Sequence, residues 1–580
     1  MAARGGALFV WTCLVALAAV TGACGESAAD PSSPPSGADG IDGGAADDDP
    51  DAGATPVSGP IAGEVRRYDY TFDLVSRRAT SKLSVDVAAP GGDCLAIGCR
   101  TPAAEEVTWN GAPPASSTLA GGALELCGSP VTAGTIEIAA TTPSVPLLRF
   151  HGLDIGFSQR PDRADGQFSY LLSWVGNCDR FGPCDPDPSR LAEMHFEVTH
   201  PEGTVVLCPG KLTPGASTTR CDVAGTLAPT YSGFALAADP LWKRAPFTSA
   251  AGVDLVMYEV PGGKIASTLD AASVREFLVW ITALLGPMPY GPELRVAGAP
   301  TRWLGFEHPA NILLQEDLPD MSTGYADTTM HVLMHEIVHQ WSGDRTTLAS
   351  ASDFVWKEAI AEYLAYVFED EHRPAGEAAA SRAYWDAISL QARHRPRPTD
   401  NPSVESFYGD VYGPGPMVLF VQLEPMIGRA AILTAIKAFL AEPGAKSVDD
   451  LRGALEKASS KDLKKYFDAW VIGAGEPEWP TFAVSFDQVG DQLTVTVTQQ
   501  NASGVLYGCN VEVAIAGPST TARATVDFGL APTSATASTT ITFAGARTSV
   551  RLDPDHKVIG RAVGVTNGFT APASLPVWIF

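Results

Sequence analysis

The chain has 580 residues and a formal net charge of −26, from 66 acidic and 40 basic side chains. That length indicates about three or four domains, with enough apolar material for large cores. Because neutralisation of phosphates needs a basic surface, the acidic balance argues against nucleic acid as a partner.

Residues 1–24 have the pattern of an export signal. Arg4 precedes an apolar run over residues 7–20, which is too short to span a bilayer as a structural helix and is typical of a signal-peptide core. The small residues that lead up to Cys24 resemble a bacterial lipobox, in which the cysteine becomes the lipidated N-terminus. We therefore expect an exported protein, held at the membrane only by a lipid on Cys24, with simple secretion as the alternative.

Residues 25–64 predict a disordered acidic tether. Ser, Pro, Gly, Ala and Asp dominate this segment, and an acidic cluster occupies residues 47–51. Such a composition cannot bury enough apolar surface to fold. No later run is long enough for a membrane helix.

Outside the signal segment the chain has eight cysteines, and seven of them lie between residues 94 and 221. An even number in an exported chain favours disulfides. The close pairs Cys94 with Cys99 and Cys208 with Cys221 are natural candidates, but sequence alone does not fix the connectivity. A cysteine metal site is the weaker alternative, since no paired C-x-x-C motifs occur.

The remaining chain divides into three predicted domains. Short alternating runs such as 68–75, 82–87 and 195–199 indicate an antiparallel β domain over residues 65–240. Longer periodic segments at 271–285, 365–392, 416–443 and 448–480 indicate a mostly helical domain over residues 241–476. Renewed alternation, as in 493–500, predicts a C-terminal β-sandwich over residues 477–580.

The helical domain contains a metal-binding pattern, H-E-x-x-H. His335 and His339 are four residues apart, so on a helix their imidazoles lie on one face about one turn apart and can share one metal ion. Asp327 or Thr328 is an N-cap candidate and Gly343 a candidate end for this helix. The alternative, that these are ordinary surface or core histidines, is disfavoured because the motif is rare by chance.

A third ligand follows on the next predicted helix. After 18 intervening residues comes Glu358, in a helix opened by Ser352 or Asp353. Three protein ligands leave zinc one open position for water, so we predict one zinc per chain. Glu336 would face that water and accept its proton as a general base. His331, one turn before His335, is predicted to be a packed or supporting histidine.

The stretches HEIVHQWSGD and VWKEAIAEYLAY resemble the zinc region of the aminopeptidase N family, the gluzincin group that includes the leukotriene hydrolases. Four positions depart from the family pattern. Asp344 and Lys357 stand where Asn is usual, Ala359 stands for Gly, and Val355 stands for Trp. None of them is a predicted ligand or the predicted base.

Other segments extend this resemblance. Residues 179–203 are similar to part of the family's N-terminal domain, and residues 448–480 to the end of its catalytic domain. Residues 301–317 resemble the G-x-M-E-N-P strand, which implies that Glu307 holds the α-ammonium of the substrate. In relatives a second amine-binding side chain comes from the β domain, and Asn177 is the weaker substitute at that place.

The loop 405–415 resembles the family's Y-x-K-G segment, whose tyrosine donates to the oxyanion of the transition state. The resemblance implies that role for Tyr412, with Pro414 in place of the lysine. The alternative is that Tyr408 and Tyr412 are loop tyrosines that pack on glycines.

Taken together, the resemblance implies a multidomain α+β protein with an N-terminal antiparallel β domain, a thermolysin-like, mostly helical zinc domain and a C-terminal β-sandwich. The implied activity is that of a zinc aminopeptidase acting on peptides. The alternatives are a zinc endopeptidase, an epoxide hydrolase, or an inactive binding scaffold, which would be expected to have lost ligands or the base.

Overall fold

The computed structural model describes residues 58–146, 157–159, 169–172, 177–301, 304–321, 323–390, 415–472, 479–563 and 566–567. The predicted export signal, with Cys24, and most of the predicted tether lie outside the described residues. Tyr408 and Tyr412 also lie outside them.

The N-terminal domain is built of β-strands, as predicted. Its described strands are β1 (Gly63–Asp73), β2 (Ala79–Val87), β3 (Gly92–Gly98), β4 (Glu105–Trp109), β5 (Ser116–Ala120), β6 (Ala123–Val131), β7 (Gly134–Thr142), β8 (Phe157–Gln159), β9 (Ser169–Leu172), β10 (Leu191–Thr199), β11 (Val205–Leu207), β12 (Lys211–Thr213), β13 (Thr218–Pro229) and β14 (Ala235–Asp239). They form a seven-stranded sheet in the order β12-β13-β10-β1-β2-β7-β4, a four-stranded sheet β11-β14-β9-β8 and a three-stranded sheet β3-β6-β5.

The strand pairs of this domain are antiparallel with one exception among the described residues. β1 and β10 run parallel, with Tyr68 opposite Met194. Alternation explains why these strands form. In β2 the residues Leu83 and Val85 are buried, whereas the alternating residues Lys82, Ser84 and Asp86 are more exposed. The pattern that predicted the strands is therefore the pattern that fills the core.

The β domain begins earlier than the predicted boundary at residue 65. Ile61 is buried, and its backbone N–H donates to the carbonyl of Cys94 at 2.7 Å. The apolar side chain of Ile61 thus joins the core, and the ordered chain includes residues 58–64, which composition had assigned to the tether.

Three disulfides occur among the described cysteines, and all lie in the N-terminal domain: Cys94–Cys127, Cys178–Cys184 and Cys208–Cys221. The prediction for Cys208 and Cys221 is confirmed, and the pairing of Cys94 with Cys99 is wrong. Cys94 lies within β3 and Cys99 follows its last residue, and an extended strand that rises about 3.3 Å per residue keeps the two apart. Cys94 instead lies directly opposite Cys127 on β6, with a Cα–Cα distance of 4.0 Å. Cys99 is a buried free thiol.

The middle region combines a five-stranded sheet, β15-β16-β17-β19-β18, with helices. The strands of this sheet are β15 (Lys243–Ala250), β16 (Val253–Glu259), β17 (Glu293–Ala299), β18 (Gly305–His308) and β19 (Asn311–Gln315). The same region has a separate two-stranded sheet of β20 (Thr346–Leu348) and β21 (Gly444–Lys446). Its first helices are α1 (Ile265–Thr268), α2 (Ala271–Leu285), α3 (Thr328–Val338), α4 (Phe354–His372) and α5 (Glu377–Ser389). The later helices are Glu424–Ile427, Arg429–Phe439, Val448–Ser459 and Lys464–Phe467, with π-helical turns at Met417–Val421 and Asp468–Ile472.

The start of α3 is where the sequence predicted it, but its end is not. Asp327 is the N-cap, and its side chain accepts from the backbone N–H of Met330. The helix ends at Val338, before the expected stop at Gly343. The chain turns there because the backbone N–H of Gly343 bonds to the carbonyl of Thr346, which brings the following segment back toward α4.

The C-terminal domain is the predicted β-sandwich. Its strands are β22 (Thr481–Val489), β23 (Gln492–Gln500), β24 (Asn510–Ala516), β25 (Thr521–Asp527), β26 (Thr536–Thr542), β27 (Ser549–Leu552), β28 (Arg561–Val563) and β29 (Thr566–Asn567). They form two four-stranded sheets, β26-β23-β22-β28 and β25-β24-β27-β29. Buried residues of both sheets, such as Val495 and Val513, belong to one core that continues into the helical region. None of the described helices is long and apolar enough to cross a membrane.

Candidate active site

Helix α3 presents its two predicted metal ligands on one buried face. The Nε2 atoms of His335 and His339 lie 2.8 Å apart, and both side chains are almost fully buried. Two ring nitrogens this close cannot both direct lone pairs at each other unless a proton or a metal ion lies between them. The pair is therefore arranged to share a cation.

Helix α4 brings Glu358 to the same point. Its Oε2 atom lies 3.2 Å from Nε2 of His335 and 3.3 Å from Nε2 of His339. Ligand atoms around a tetrahedral ion with bonds of about 2.0–2.1 Å lie about 3.3 Å apart. The two nitrogens and the oxygen therefore fit one metal ion with a position left over.

The turn between α3 and α4 fixes this geometry through backbone groups. Nδ1 of His339 donates to the carbonyl of Ser342 at 2.8 Å, which leaves Nε2 as the metal-facing atom. The hydroxyl of Ser342 donates to the carbonyl of Lys357 at 3.1 Å. One residue thus ties the second histidine to the helix that carries Glu358.

Glu336 lies beside the three candidate ligands. Its carboxylate is buried, and a Cβ atom on Gly305 would stand only 2.3 Å from its Oε1 atom. The approach of the carboxylate to β18 therefore requires the glycine. Burial, and then the nearby carboxylates of Glu307 and Glu358, raise the pKa of Glu336 well above its usual range, although His335 and Lys357 lower it.

Glu307 lies on β18 and lines the same cleft. Its Oε1 atom is 2.8 Å from the ammonium of Lys357, which also donates to Oε1 of Glu358 at 2.7 Å. Burial raises the pKa of Glu307, but Lys357 and His339 outweigh it and leave the pKa below the usual range. Lys357 thus bridges the predicted amine anchor and a predicted metal ligand.

A second set of converging atoms includes Glu307, Glu336 and His339. It is the weaker candidate for a metal, because it leaves out His335, whose Nε2 atom lies 2.8 Å from Nε2 of His339. The set of His335, His339 and Glu358 is the one that the sequence pattern predicted.

Asp344 stands where the family pattern has an asparagine, and it is buried. Its Oδ2 atom accepts from Nε2 of Gln340 at 3.2 Å. Burial, and then the charge of Glu307, raise the pKa of Asp344 well above its usual range. In the protonated form that a raised pKa favours, the carboxyl would offer both a donor and an acceptor, as the amide of asparagine does.

Sequence reasoning missed Glu362, whose Oε1 atom lies 3.0 Å from Nδ1 of His335. The sequence did contain a signal for Glu362 as a neighbour of the predicted metal site, because it is four residues after Glu358 and therefore on the same face of α4. His331, expected to be a packed or supporting histidine, has Nε2 2.8 Å from Glu362 and Nδ1 2.6 Å from Glu369. Burial lowers the pKa of His331, but the two glutamates outweigh burial and raise it to about 9.

The N-terminal domain contributes to the cleft through Tyr231 and Ser232. Asn177, the predicted substitute for a second amine-binding residue, accepts from Nε of Arg180 at 2.8 Å and is buried in its own domain. Tyr412 cannot be placed, since it lies outside the described residues. Glu307 is therefore the described carboxylate that fits an amine-binding role.

Comparison with known proteins places this geometry in a family. Residues 305–470 match the peptidase family M1 domain. Aminopeptidase N of Streptomyces lividans is 28% identical over 164 residues, which are 25% of this chain and 18% of that protein. Aminopeptidase N of Lactococcus lactis subsp. cremoris is 24% identical over 236 residues, which are 37% of this chain and 26% of that protein. The matched part of the chain thus spans far less than two thirds of either relative.

A solved structure shares the fold. The crystal structure of Legionella pneumophila aminopeptidase A in complex with aspartic acid matches with a TM-score of 0.68 over 87% of this chain and 60% of that chain, at 17% identity. The chain therefore has the fold of this aminopeptidase structure, and His335, His339 and Glu358 form a convergent cluster that could hold a metal ion. The predicted resemblance to the aminopeptidase N family is confirmed over the matched region, residues 305–470, and the fold is shared with a solved aminopeptidase.

Proposed function

We propose that the protein is a zinc aminopeptidase that hydrolyses N-terminal residues from peptides. The observation that carries this proposal is the convergence of His335, His339 and Glu358, with the buried carboxylates of Glu336 and Glu307 close by. His335, His339 and Glu358 would hold one zinc ion. Zinc, when bound, polarises a carbonyl and lowers the pKa of water to near neutrality.

The chain's own residues would perform the remaining steps. Glu336 accepts the proton of the attacking water and passes it to the leaving amine. Its burial beside Gly305 keeps bulk water from competing for that proton. Tyr412 is proposed, on the resemblance alone, to donate its phenol to the oxyanion that develops at the scissile carbonyl.

Glu307 is proposed to hold the α-ammonium of the substrate. A charge-assisted hydrogen bond of this kind contributes roughly 1.5–3 kcal/mol, which fixes the N-terminus at a set distance from the metal. Oε1 of Glu307 already contacts Lys357, so the substrate ammonium would share the carboxylate with a resident cation. This contact is the specific observation that keeps an endopeptidase as the second candidate, since it weakens the anchor for a free amine.

The test of the proposal compares an aminoacyl fluorogenic substrate with the same substrate N-acetylated. An aminopeptidase cleaves the free form and discriminates strongly against the acetylated form. Equal cleavage of both would replace the proposal with the endopeptidase. A zinc-loaded protein that cleaves neither would support the scaffold or the epoxide hydrolase, and assay with an epoxide separates these two.

The phenol can be tested within its own loop. Tyr412→Phe should retain substrate binding and lower kcat by roughly a hundredfold or more, the usual cost of one oxyanion donor. Tyr408→Phe is the matched control and should have a smaller effect. A larger loss at Tyr408 would move the role to that residue.

We further propose that the protein is exported and held at the membrane by a lipid on Cys24. The pattern of residues 1–24 supports this, and so do the three disulfides of the N-terminal domain, which form in oxidising compartments. Globomycin, which blocks lipoprotein processing, should cause a larger precursor to accumulate, and Cys24→Ser should release the protein from membranes. A soluble wild-type protein that begins after residue 24 would contradict the anchor.

A further inference from the structure

The two predicted histidine ligands have different partners behind them. Nδ1 of His339 donates to a backbone carbonyl, that of Ser342, whereas Nδ1 of His335 lies at ion-pair distance, 3.0 Å, from Oε1 of Glu362 without the angle of a hydrogen bond. A histidine that binds metal through Nε2 carries its proton on Nδ1 and needs an acceptor there. A carboxylate acceptor orients the ring and makes it a stronger donor to the metal.

Glu362 is itself held by donors from other parts of the fold. Its Oε2 atom lies 2.8 Å from Nε2 of His331 on α3 and accepts from Nε1 of Trp385 on α5, also at 2.8 Å. The hydroxyl of Tyr325 lies 3.2–3.3 Å from both oxygens. The side chain of Glu362 is only 4% exposed, so no bulk water replaces these contacts if the carboxylate rotates.

His331 supplies the charge that balances this buried carboxylate. Its second ring nitrogen, Nδ1, lies 2.6 Å from Oε1 of Glu369, whose other oxygen accepts from the hydroxyl of Ser381 on α5 at 2.6 Å. Because both ring nitrogens face carboxylates, the ring donates twice and is an imidazolium. The ring of Tyr325 stacks on it with centroids 3.7 Å apart, which fixes its plane.

We propose that Glu362 is a positioning residue for the predicted metal ligand His335, and that His331, Trp385 and Tyr325 hold Glu362 in place. The H-E-x-x-H pattern with its distant glutamate contains neither Glu362 nor His331, so the metal-binding motif alone does not predict this support. Through Trp385 and Ser381 it connects the metal site to helix α5. The inference rests on the proposed zinc site and deepens it.

The experiment measures zinc affinity in the full-length protein by competition with a chelator. Glu362→Gln keeps the shape of the side chain but removes the charge, and the zinc Kd should rise about 10- to 100-fold. Glu369→Gln is the matched control, because it is an equally buried glutamate on the same helix that contacts His331 but not His335. Its zinc Kd should change by at most about threefold, as expected for a site one contact further away.

A spectroscopic readout separates positioning from general destabilisation. In cobalt-substituted protein the visible absorption reports the ligand field, so Glu362→Gln should shift the bands while Glu369→Gln leaves them in place. Unchanged zinc Kd and unchanged bands in Glu362→Gln would overturn the inference. Equal losses in both variants would overturn it as well, because the effect would then not depend on the contact with His335.

A second variant serves if Glu362→Gln does not fold. Trp385→Phe removes one donor to Glu362 and retains an aromatic ring, and its zinc Kd should rise on the order of threefold to tenfold. An unchanged Kd in this variant would contradict the role of the network. A wild-type protein without tightly held zinc would instead defeat the proposed function, so the two failures are distinguishable.

Discussion

Glu336 lies next to the predicted ligand His335 and is proposed to be the general base and not a metal ligand. Glu336→Gln should therefore retain one zinc per chain and lose several orders of magnitude in kcat, because nothing then accepts the proton of the attacking water. Metal analysis checks the zinc content, and steady-state kinetics on the same preparation check the loss in kcat. His339→Ala is the contrasting variant and should lose the metal. Near wild-type activity in Glu336→Gln would show that another group is the base.

The amine anchor makes a separate prediction at Glu307. Glu307→Ala should lower kcat/KM for free-amino substrates about tenfold to more than a hundredfold, the value of one charge-assisted contact, with zinc content unchanged. The variant also deprives Lys357 of one partner, so Lys357→Met is the control that removes the bridge but keeps the carboxylate. If Glu307→Ala and the wild type have the same ratio of free to acetylated substrate cleavage, Glu307 does not bind the amine.

The raised pKa of His331 predicts that the free energy of unfolding depends on pH. Its pKa is raised from the ordinary 6.5 to about 9 in the folded protein. A raised folded pKa means that the stabilisation is complete below about pH 6.5 and is lost as the pH rises through about 9. The shift corresponds to about 3 kcal/mol.

Chemical unfolding of the zinc-loaded protein at pH 6 and at pH 9.5 checks this value. The wild type should lose more free energy of unfolding over this interval than His331→Gln, because the variant has no proton to release at this position. Parallel pH dependences in the two proteins would show that the ring does not titrate in this range.

At the scale of secondary structure, strand β18 and helix α3 approach closely enough to require a glycine. Gly305→Ala places a methyl group 2.3 Å from Oε1 of Glu336, so the carboxylate must move. We expect kcat to fall tenfold to a hundredfold, since a displacement of about 1 Å in a catalytic group has effects of this order. Zinc content should stay at one per chain.

A second glycine in the chain provides the control for this substitution. Gly453 lies in the helix Val448–Ser459, and a Cβ atom there meets nothing within 4 Å. Gly453→Ala should leave kcat unchanged and stabilise the protein by about 0.5–1 kcal/mol, the usual gain in a helix interior. A Gly305→Ala enzyme with full activity would mean that Glu336 has room to act from another position.

The secondary structure itself followed from the sequence wherever a local signal existed. The N-cap at Asp327 and the periodicity of residues 271–285 predicted helices that the structure contains. The predicted end of α3 at Gly343 was wrong, since the helix ends at Val338. Gly343 lies in a turn, where its backbone N–H bonds to the carbonyl of Thr346. That bond depends on the path of the returning chain, which no local pattern encodes.

For the whole molecule, the described disulfides are all in the N-terminal domain, which contributes Tyr231 and Ser232 to the cleft. Reduction should therefore destabilise this domain, by about 2–4 kcal/mol for each disulfide of typical loop length. Activity should decline at a lower temperature in the presence of a reductant, while the helical signal of the catalytic region persists. Calorimetry and activity measured with and without reductant check this expectation.

A single disulfide provides the matched variant for this prediction. The pair Cys208→Ser and Cys221→Ser should reproduce part of the reductant effect and respond less to further reduction. Indifference of both activity and unfolding temperature to the reductant would show that the β domain is stable without its disulfides.

The sequence by itself determined the composition of the predicted metal site and the order of the domains. His335 and His339 are one helical turn apart in any α-helix, and alternating residues make strands wherever one face is buried. These are short-range consequences of backbone geometry, so they could be derived from spacing alone. The prediction that Glu358 is the third ligand came from its position on the next predicted helix, and the family resemblance supported it.

Only the tertiary structure decided which distant side chains meet. The bridge of Lys357 to Glu307, the support of His335 by Glu362, and the pairing of Cys94 with Cys127 all join residues from different strands and helices. Such contacts depend on how helices and strands pack against one another. A buried charge is tolerated only where a well-placed partner offsets the free-energy cost of removing that charge from water. Spacing places Glu362 on the same face of α4 as Glu358, but only the packing of α3 against α4 brings it to His335, so these contacts had to come from the fold.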